Sequence, residues 1–95
     1  MFWLINQKNL MQFRIRFEKK AEKDLDSIPK IHKARVLAVL PAIAQNPYLG
    51  KKLDGELYGS YSYRVWPYRI IYKIFKEVLI IVVIKIKHRG GGAYR

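Results

Sequence analysis

The fold is decided by residues 60–75, which read SYSYRVWPYRIIYKIF. Polar and apolar side chains alternate on both sides of Trp66 and Pro67, and this two-residue period is typical of half-buried strands. The pattern predicts strands over residues 60–66 and 68–75. The turn between them is short enough to make the two strands an antiparallel hairpin.

The turn decides which residues face each other across the hairpin. Because Pro67 is awkward in the usual two-residue turns, we expect a four-residue loop, which pairs Val65 with Tyr68 and Arg64 with Arg69. Directly opposed side chains have Cβ atoms about 4.5–5.5 Å apart, and like charges there are destabilising. Two opposed arginines fit an anion such as a phosphate held between them. The alternative is that both side chains splay into solvent at a sheet margin.

The alternation also sorts the hairpin into two faces. The more apolar face should carry the helices, and the other should stay partly open. The apolar face consists of Tyr61, Tyr63, Val65, Tyr68, Ile70, Tyr72 and Ile74, and the open face of Ser60, Ser62, Arg64, Arg69, Ile71 and Lys73. The open face is therefore basic and carries hydroxyl groups, which suits a sugar-phosphate backbone.

A third strand is predicted over Val78–Lys87, after a short turn at Lys76-Glu77. It is almost wholly apolar, which is typical of a strand at the centre of a sheet. Strict alternation places His88 on the same face as Arg69 and puts Arg89 on the opposite face. Arg89 joins the Arg69 face only if the strand ends or bulges before it.

Upstream of the hairpin, the pattern changes from one strand to two helices. Residues 12–17 alternate like a strand, and from residue 18 the apolar residues recur at helical spacing. The first helix carries Ala21, Leu25 and Ile28 on one stripe, and after Pro29 the second carries Ile31, Ala34, Leu37, Leu40 and Ala44. Pro41 should kink the second helix or end it early, and Asn46-Pro47 stops it. The sequence therefore predicts an α+β fold of order β-α-α-β-β-β, a helical hairpin packed on one face of a small, mainly antiparallel sheet.

The chain of 95 residues has length for one domain. Residues 1–10 do not share the alternating pattern that begins at residue 12, so we interpret them as an N-terminal extension that is loosely ordered or not native. The alternative is a first turn or strand that packs through Phe2 and Trp3. Residues 11–95 are predicted to form the domain itself.

The composition limits the partners and the compartment. Nineteen Lys and Arg residues against seven Asp and Glu residues give a net charge of +12, and such an excess indicates a polyanionic partner: nucleic acid, an acidic protein or an anionic membrane surface. The chain has no cysteine, which excludes disulfides and thiolate metal sites and fits the cytoplasm. The longest apolar run, Val78–Ile84, is far shorter than the roughly 20 residues that a membrane helix needs, so no membrane role is expected.

Three segments resemble the RelE/ParE superfamily of bacterial and archaeal toxin–antitoxin toxins. They are Lys52-Leu53-Asp54-Gly55, then Tyr63 to Tyr72, then His88-Arg89 with Tyr94-Arg95 at the end. They match the family's K-L-x-G, R-(x)4-R-x-x-Y and terminal R…Y patterns, in order and on the expected elements. The resemblance covers Met11 to Arg95 and favours the RelE-like branch.

The resemblance implies a type II toxin that a cognate antitoxin holds in a hetero-oligomer. In the RelE branch, the toxin enters the ribosomal A site and cuts mRNA by attack of the RNA's own 2′-hydroxyl on the adjacent phosphate. This implies a metal-independent endoribonuclease, an mRNA interferase that inhibits translation without a cofactor. Ribosome and mRNA are then its partners.

The resemblance also implies roles for individual residues. Arg69 matches the family's phosphate-binding arginine, and a planar guanidinium can hold two phosphate oxygens. Arg89 matches the C-terminal arginine with a transition-state or leaving-group role, and Tyr94 matches the tyrosine that orients or deprotonates the 2′-hydroxyl or stacks on a base. Arg64 is a supporting phosphate contact, and His88 is a further candidate as general base. Lys51, Lys52, Lys73, Lys85, Lys87, Arg95 and Trp66 are the predicted RNA-binding residues.

One departure from the family pattern leaves the branch open. RNA-cutting relatives commonly have lysines on the strand that here reads Ser60-Tyr61-Ser62-Tyr63, and serines cannot supply that charge. The alternatives are therefore a ParE-like inhibitor of DNA gyrase that cuts no RNA, and a catalytically inactive basic homologue.

Overall fold

The computed structural model describes residues 12–90. Its elements follow one another in the predicted order, with one short strand added. The strands are β1 (Arg14–Phe17), β2 (Lys51–Lys52), β3 (Tyr61–Val65), β4 (Tyr68–Phe75) and β5 (Ile80–His88), and the helices are α1 (Lys19–Ser27) and α2 (Lys30–Gln45). The predicted N-terminal extension lies outside the described residues.

The strands form a single mixed sheet in the order β1-β5-β4-β3-β2. The β1 strand runs parallel to β5, and all other neighbours are antiparallel. The two helices pack on one face of this sheet, so the predicted α+β architecture is confirmed. As expected from its apolar sequence, β5 lies inside the sheet, between β1 and β4.

The β3–β4 hairpin has the predicted register. Val65 pairs with Tyr68, and Arg64 pairs with Arg69. The expected four-residue loop is wrong, because Val65 and Tyr68 are themselves paired and leave Trp66 and Pro67 as a two-residue turn. The peptide bond between these two residues is cis, which is the isomer that a turn with proline at its third position requires.

The core lies between the helices and the predicted apolar face of the hairpin. Its strand residues are Val65, Ile70, Tyr72, Ile81, Val83 and Ile86; the helices contribute Ala21, Val36 and Ile43, and Ile28 joins them from the link between the helices. The predicted stripe of the first helix faces the core: Ala21 is fully buried, Leu25 is half-buried against the core, and Ile28, the residue after the end of α1, is nearly buried.

The predicted stripe of α2 is wrong at its start. Ile31 is 68% exposed and Leu37 is 43% exposed, whereas Val36 and Ile43 turn towards the sheet. Apolar residues occur all round this helix, so its periodicity does not define one face. The helix also continues through Pro41. Pro41 has no amide hydrogen, so the carbonyl of Leu37, one turn earlier, lacks its helical hydrogen bond. Both residues lie on the exposed side of the helix, where water can donate to that carbonyl instead.

A β-bulge in β5 changes which face its last residues occupy. Tyr72 pairs with Val83, but the preceding residue of β4, Ile71, pairs with Lys85, so Ile84 has no partner on β4. This extra residue reverses the alternation beyond it. His88 is therefore opposite Tyr68 and not on the Arg69 face, contrary to the prediction from strict alternation.

A buried hydroxyl fixes the connection between α2 and β3 against the sheet. The Tyr72 hydroxyl donates to the Pro47 carbonyl over 2.7 Å and accepts from the Gly50 amide over 3.2 Å. A Cβ at Gly50 would lie 2.5 Å from the Tyr72 hydroxyl oxygen and 2.9 Å from the Ser62 carbonyl oxygen, so only glycine fits here. This contact positions β2, which the sequence did not reveal as a strand.

Candidate functional site

Two rows of side chains cross the sheet on the face that the helices leave open. In the first row, Arg69 is opposed by Arg64 on one side and by Lys87 on the other. In the second row, Lys51 is opposed by Ser62, and Ile71 lies between Ser62 and Lys85. The bulge at Ile84 is what brings Lys85 and Lys87 into these rows.

Three arginines meet at the tip of the hairpin. Arg64, Arg69 and Arg89 line a small cavity of about 100 Å³, together with Trp66 and Tyr68. The Arg89 guanidinium lies 4.5 Å from the centre of the Trp66 ring, within the range of a cation–π contact. The Arg89 amide donates to the Pro67 carbonyl over 2.6 Å, so the end of β5 is tied to the hairpin turn. The sequence required β5 to end or bulge before Arg89 if this residue was to join the Arg69 face, and β5 does bulge, at Ile84.

A larger groove of about 500 Å³ opens beside two of these arginines. Arg64 and Arg69 form one part of its lining, and Lys51 lies in the β2 part. Leu49, Leu53, Ser62 and Tyr63 complete the lining. The groove therefore joins guanidinium groups, an ammonium group and apolar side chains, which is a combination that suits a phosphate with an attached base.

The open face also carries cations that the sequence reasoning did not select. They are Arg14, which pairs with Ile80 of β5, and Arg16, which pairs with Val82. The predicted residue Lys73 pairs with Val82 from the other side, so it lies on the same face. We call the resulting surface the basic face; it consists of Arg14, Arg16, Lys51, Arg64, Arg69, Lys73, Lys85 and Lys87. The alternation of Arg14 and Arg16 with the inward residues Ile15 and Phe17 was the signal that could have found them.

The remaining predicted residues are not part of the basic face. Lys52 is opposite Tyr61 and so points to the face opposite that of Lys51. The His88 ring is 5.0 Å from the Tyr68 ring, edge on, and its Nδ1 atom is 3.0 Å from the Arg89 carbonyl oxygen. Trp66 is 53% exposed at the hairpin tip, beside Arg89. Tyr94 and Arg95 lie outside the described residues.

The two serines of β3 differ in their surroundings. Ser60 is fully buried, so it is not part of the open surface to which the sequence assigned it. Ser62 is half-buried and faces Lys51 across the sheet. The cationic charge missing at Ser62 is therefore present on the neighbouring strand.

No strand within residues 12–90 contains an acidic residue, and this sets the electrostatics of the basic face. All seven Asp and Glu residues are on α1, in the connections or at their ends: Glu18, Glu22, Asp24, Asp26, Asp54, Glu56 and Glu77. Repulsion among the cations is thus not relieved within the face, and an anion bound there is attracted by all of them.

Two further observations concern the described part of the chain. Among its residues, no three His, Asp or Glu side chains come together in a way that could hold a metal ion. Neither described helix is both long and apolar enough to cross a membrane.

The comparisons with known proteins agree with this geometry. The family model described as the ParE toxin of the type II toxin–antitoxin system parDE matches residues 15–91. The toxin RelG of Mycobacterium tuberculosis is 33% identical over 82 residues, which cover 84% of this chain and 94% of RelG.

Two solved toxin–antitoxin complexes contain a similar chain. The RelBE2 complex from Mycobacterium tuberculosis matches with a TM-score of 0.78 and 30% identity, covering 84% of this chain and 94% of that chain. The archaeal RelE–RelB complex from Pyrococcus horikoshii matches with a TM-score of 0.71 and 30% identity, covering 83% of this chain and 97% of that chain. The matches therefore extend over most of the chain in sequence and in structure.

Proposed function

The chain belongs to the RelE/ParE superfamily of type II toxin–antitoxin toxins, and from this premise we propose that it is a ribosome-dependent mRNA endonuclease. A cognate antitoxin binds it and holds it inactive. The observation that carries the proposal is the direct pairing of Arg64 with Arg69 on a face whose strands have no acidic residue within residues 12–90. Opposed cations destabilise a fold unless an anion offsets their repulsion, and the RNA backbone supplies such anions.

The reaction is a transfer of the phosphodiester within the RNA. The 2′-hydroxyl oxygen forms a bond to the adjacent phosphorus, its proton leaves to a base, and the bond from phosphorus to the 5′ oxygen breaks. The products are a 2′,3′-cyclic phosphate and a 5′-hydroxyl, whose oxygen takes up a proton. The reaction needs no metal or cofactor in this account.

The basic face stabilises the charge that develops on the phosphate. Arg69 binds two of its oxygens through the guanidinium fork, and Arg64 and Lys87, which flank Arg69, supply further positive charge. Arg89 lies at the hairpin tip, near the leaving 5′ oxygen. Tyr94 stays predicted as the group that orients or deprotonates the 2′-hydroxyl, and no role is assigned to His88.

The flanking cations hold the mRNA and the ribosomal RNA. Lys51 and Lys85 extend the row beside the arginines, and Lys73, Arg16 and Arg14 continue the charge across the sheet. Each phosphate that they neutralise releases counterions, so binding weakens as salt rises. Lys51 offsets the serine at position 62, because it lies directly opposite on the neighbouring strand.

The test is induced expression without antitoxin, with mapping of the 5′ ends of total mRNA. We expect cuts in phase with codons for the wild type and none for Arg69→Ala. Arg35→Ala is the matched control, because it removes an exposed arginine from α2, on the other side of the sheet. Full cleavage by Arg69→Ala, or equal loss in both variants, contradicts the proposed role.

The second candidate function is inhibition of DNA gyrase without RNA cleavage. The ParE family model that matches residues 15–91 favours it, as does the serine at position 62. It predicts growth arrest with a DNA-damage response and intact mRNA in the same experiment. Expression without any effect on growth would instead indicate an inactive homologue.

A further inference from the structure

A carboxylate from α1 accepts a hydrogen bond just beyond the bulge that brings Lys85 and Lys87 to the basic face. The Ile86 amide, two residues beyond the bulge residue Ile84, donates to Oδ2 of Asp24 over 2.9 Å. The two residues are 62 positions apart in the chain. The other carboxylate oxygen, Oδ1, lies 3.2 Å from the Lys20 ammonium.

The contact has a physical cause in the sheet. The parallel strand β1 ends at Phe17, which pairs with Val83, and the last backbone hydrogen bond on that side runs from the Glu18 amide to the Val83 carbonyl. Beyond Val83, the outer side of β5 has no strand neighbour among residues 12–90. The Ile86 amide points to that side, where a partly buried donor without an acceptor would be costly. Asp24 supplies the acceptor that a longer β1 would have provided.

The bulge decides the position of three cations. Because Ile84 is the extra residue, Lys85 faces Ile71, Lys87 faces Arg69, and Arg89 reaches the Trp66 ring. Without it, the alternation beyond Val83 would send these three side chains to the helix face.

We infer that Asp24 is a positioning residue for the site: its carboxylate holds the bulged end of β5 and thereby keeps Lys85, Lys87 and Arg89 on the side of Arg64 and Arg69. The structural part of this inference stands on the hydrogen bond alone, and the part that concerns cleavage rests on the proposed function. Asp24 touches no bound RNA in this account and acts only through β5.

The test compares three variants of the full chain. Asp24→Ala removes the acceptor, Asp24→Asn keeps an acceptor oxygen but no charge, and Lys20→Ala breaks the ion pair but leaves the carboxylate. A fourth variant, Ile43→Val, is the control for stability, because Ile43 is 1% exposed and lies on α2, which contributes no residue to the basic face.

Two readouts do not depend on RNA. We expect hydrogen exchange at the Ile86 amide to rise at least about tenfold in Asp24→Ala, and the Trp66 indole resonances to shift as Arg89 leaves the ring. Asp24→Asn, Lys20→Ala and Ile43→Val should keep both near the wild type. Unchanged exchange in Asp24→Ala overturns the inference, and so does an equal change in Lys20→Ala, which would assign the effect to the ion pair.

The third readout is single-turnover mRNA cleavage on ribosomes, well below the melting temperature of every variant. Asp24→Ala should be slower by about 10- to 100-fold, the cost of a misplaced group near a reacting centre, and Asp24→Asn should restore most of the rate. A wild-type rate in Asp24→Ala overturns the positioning role. If the wild type itself does not cleave mRNA, the proposed function fails, and the exchange and indole readouts still decide the inference on Asp24.

Discussion

Successive residues of β4 lie in two contrasting environments. Ile70 and Tyr72 point towards the helices and are fully buried, whereas Arg69 and Lys73 lie on the basic face among other cations. The same strands supply both faces, since alternate side chains point to opposite sides of a sheet. The helix face consists of apolar contacts and satisfied hydrogen bonds, and it stabilises the domain. The basic face contains like charges in direct opposition, and it costs stability that only an anionic partner offsets.

This difference separates stability from function residue by residue. Substitutions on the helix face should lower the free energy of unfolding, and those on the basic face should lower activity without unfolding the protein. Single substitutions on either face test this separation. Among them, the largest change in the free energy of unfolding is expected when a buried hydroxyl is removed.

Tyr72→Phe should destabilise the domain. The substitution removes the hydroxyl that donates to Pro47 and leaves the Gly50 amide without its acceptor, at a cost of about 1–3 kcal/mol. Urea unfolding measures the change. Tyr58→Phe is the matched control, because Tyr58 is 76% exposed and should tolerate the loss of its hydroxyl. Equal stability of the two variants would show that the buried hydroxyl does not hold the α2–β3 connection in place.

Tyr72 should also make stability depend on alkaline pH. Burial raises the pKa of this phenol from its usual 10.0 to about 12, although the amide of Gly50 works in the opposite direction. Because the folded pKa lies above the unfolded one, the contribution is complete below pH 10 and is lost as pH rises from 10 to 12. The wild type should lose on the order of 1 to 2 kcal/mol more than Tyr72→Phe across this interval. A constant difference between the two unfolding free energies from pH 8 to 12 would contradict the assignment.

Arg64→Gln should have the smallest effect on stability and the opposite sign. It removes the charge that opposes Arg69, so the domain should gain about 0.2–1 kcal/mol at low salt, and less at high salt as screening increases. Thermal unfolding at two salt concentrations measures the gain. Arg14→Gln is the control, since Arg14 pairs with the neutral Ile80. A loss of stability in Arg64→Gln would mean that the basic face is not under repulsion.

The sequence predicted the part of the site that depends on simple alternation. Arg64 and Arg69 were placed opposite each other because β3 and β4 alternate cleanly up to their turn. The order of elements and the burial of Ala21 and Ile28 were also predictable, because each stripe had polar neighbours that defined its face.

The rest of the site depends on structural features that leave no recognisable pattern in the nearby sequence. The run from Ile80 to Ile84 is apolar at every position, so nothing in it marks Ile84 as the bulge that redirects Lys85, Lys87 and Arg89. The acceptor for the Ile86 amide, just beyond this bulge, is the carboxylate of Asp24, 62 positions away in the chain. The two-residue strand β2 lies in a polar connection, and only its pairing with β3 brings Lys51 to Ser62.

The most direct test compares two adjacent residues of β4. Arg69→Ala and Ile70→Val are made in the full chain, and both single-turnover mRNA cleavage on ribosomes and the free energy of unfolding are measured for each. We predict that Arg69→Ala cleaves about 10²–10³-fold more slowly at undiminished stability, and that Ile70→Val loses about 0.5–1.5 kcal/mol of stability but keeps the wild-type rate. Wild-type cleavage by Arg69→Ala, or loss of its activity only through unfolding, would contradict the separation of the two faces.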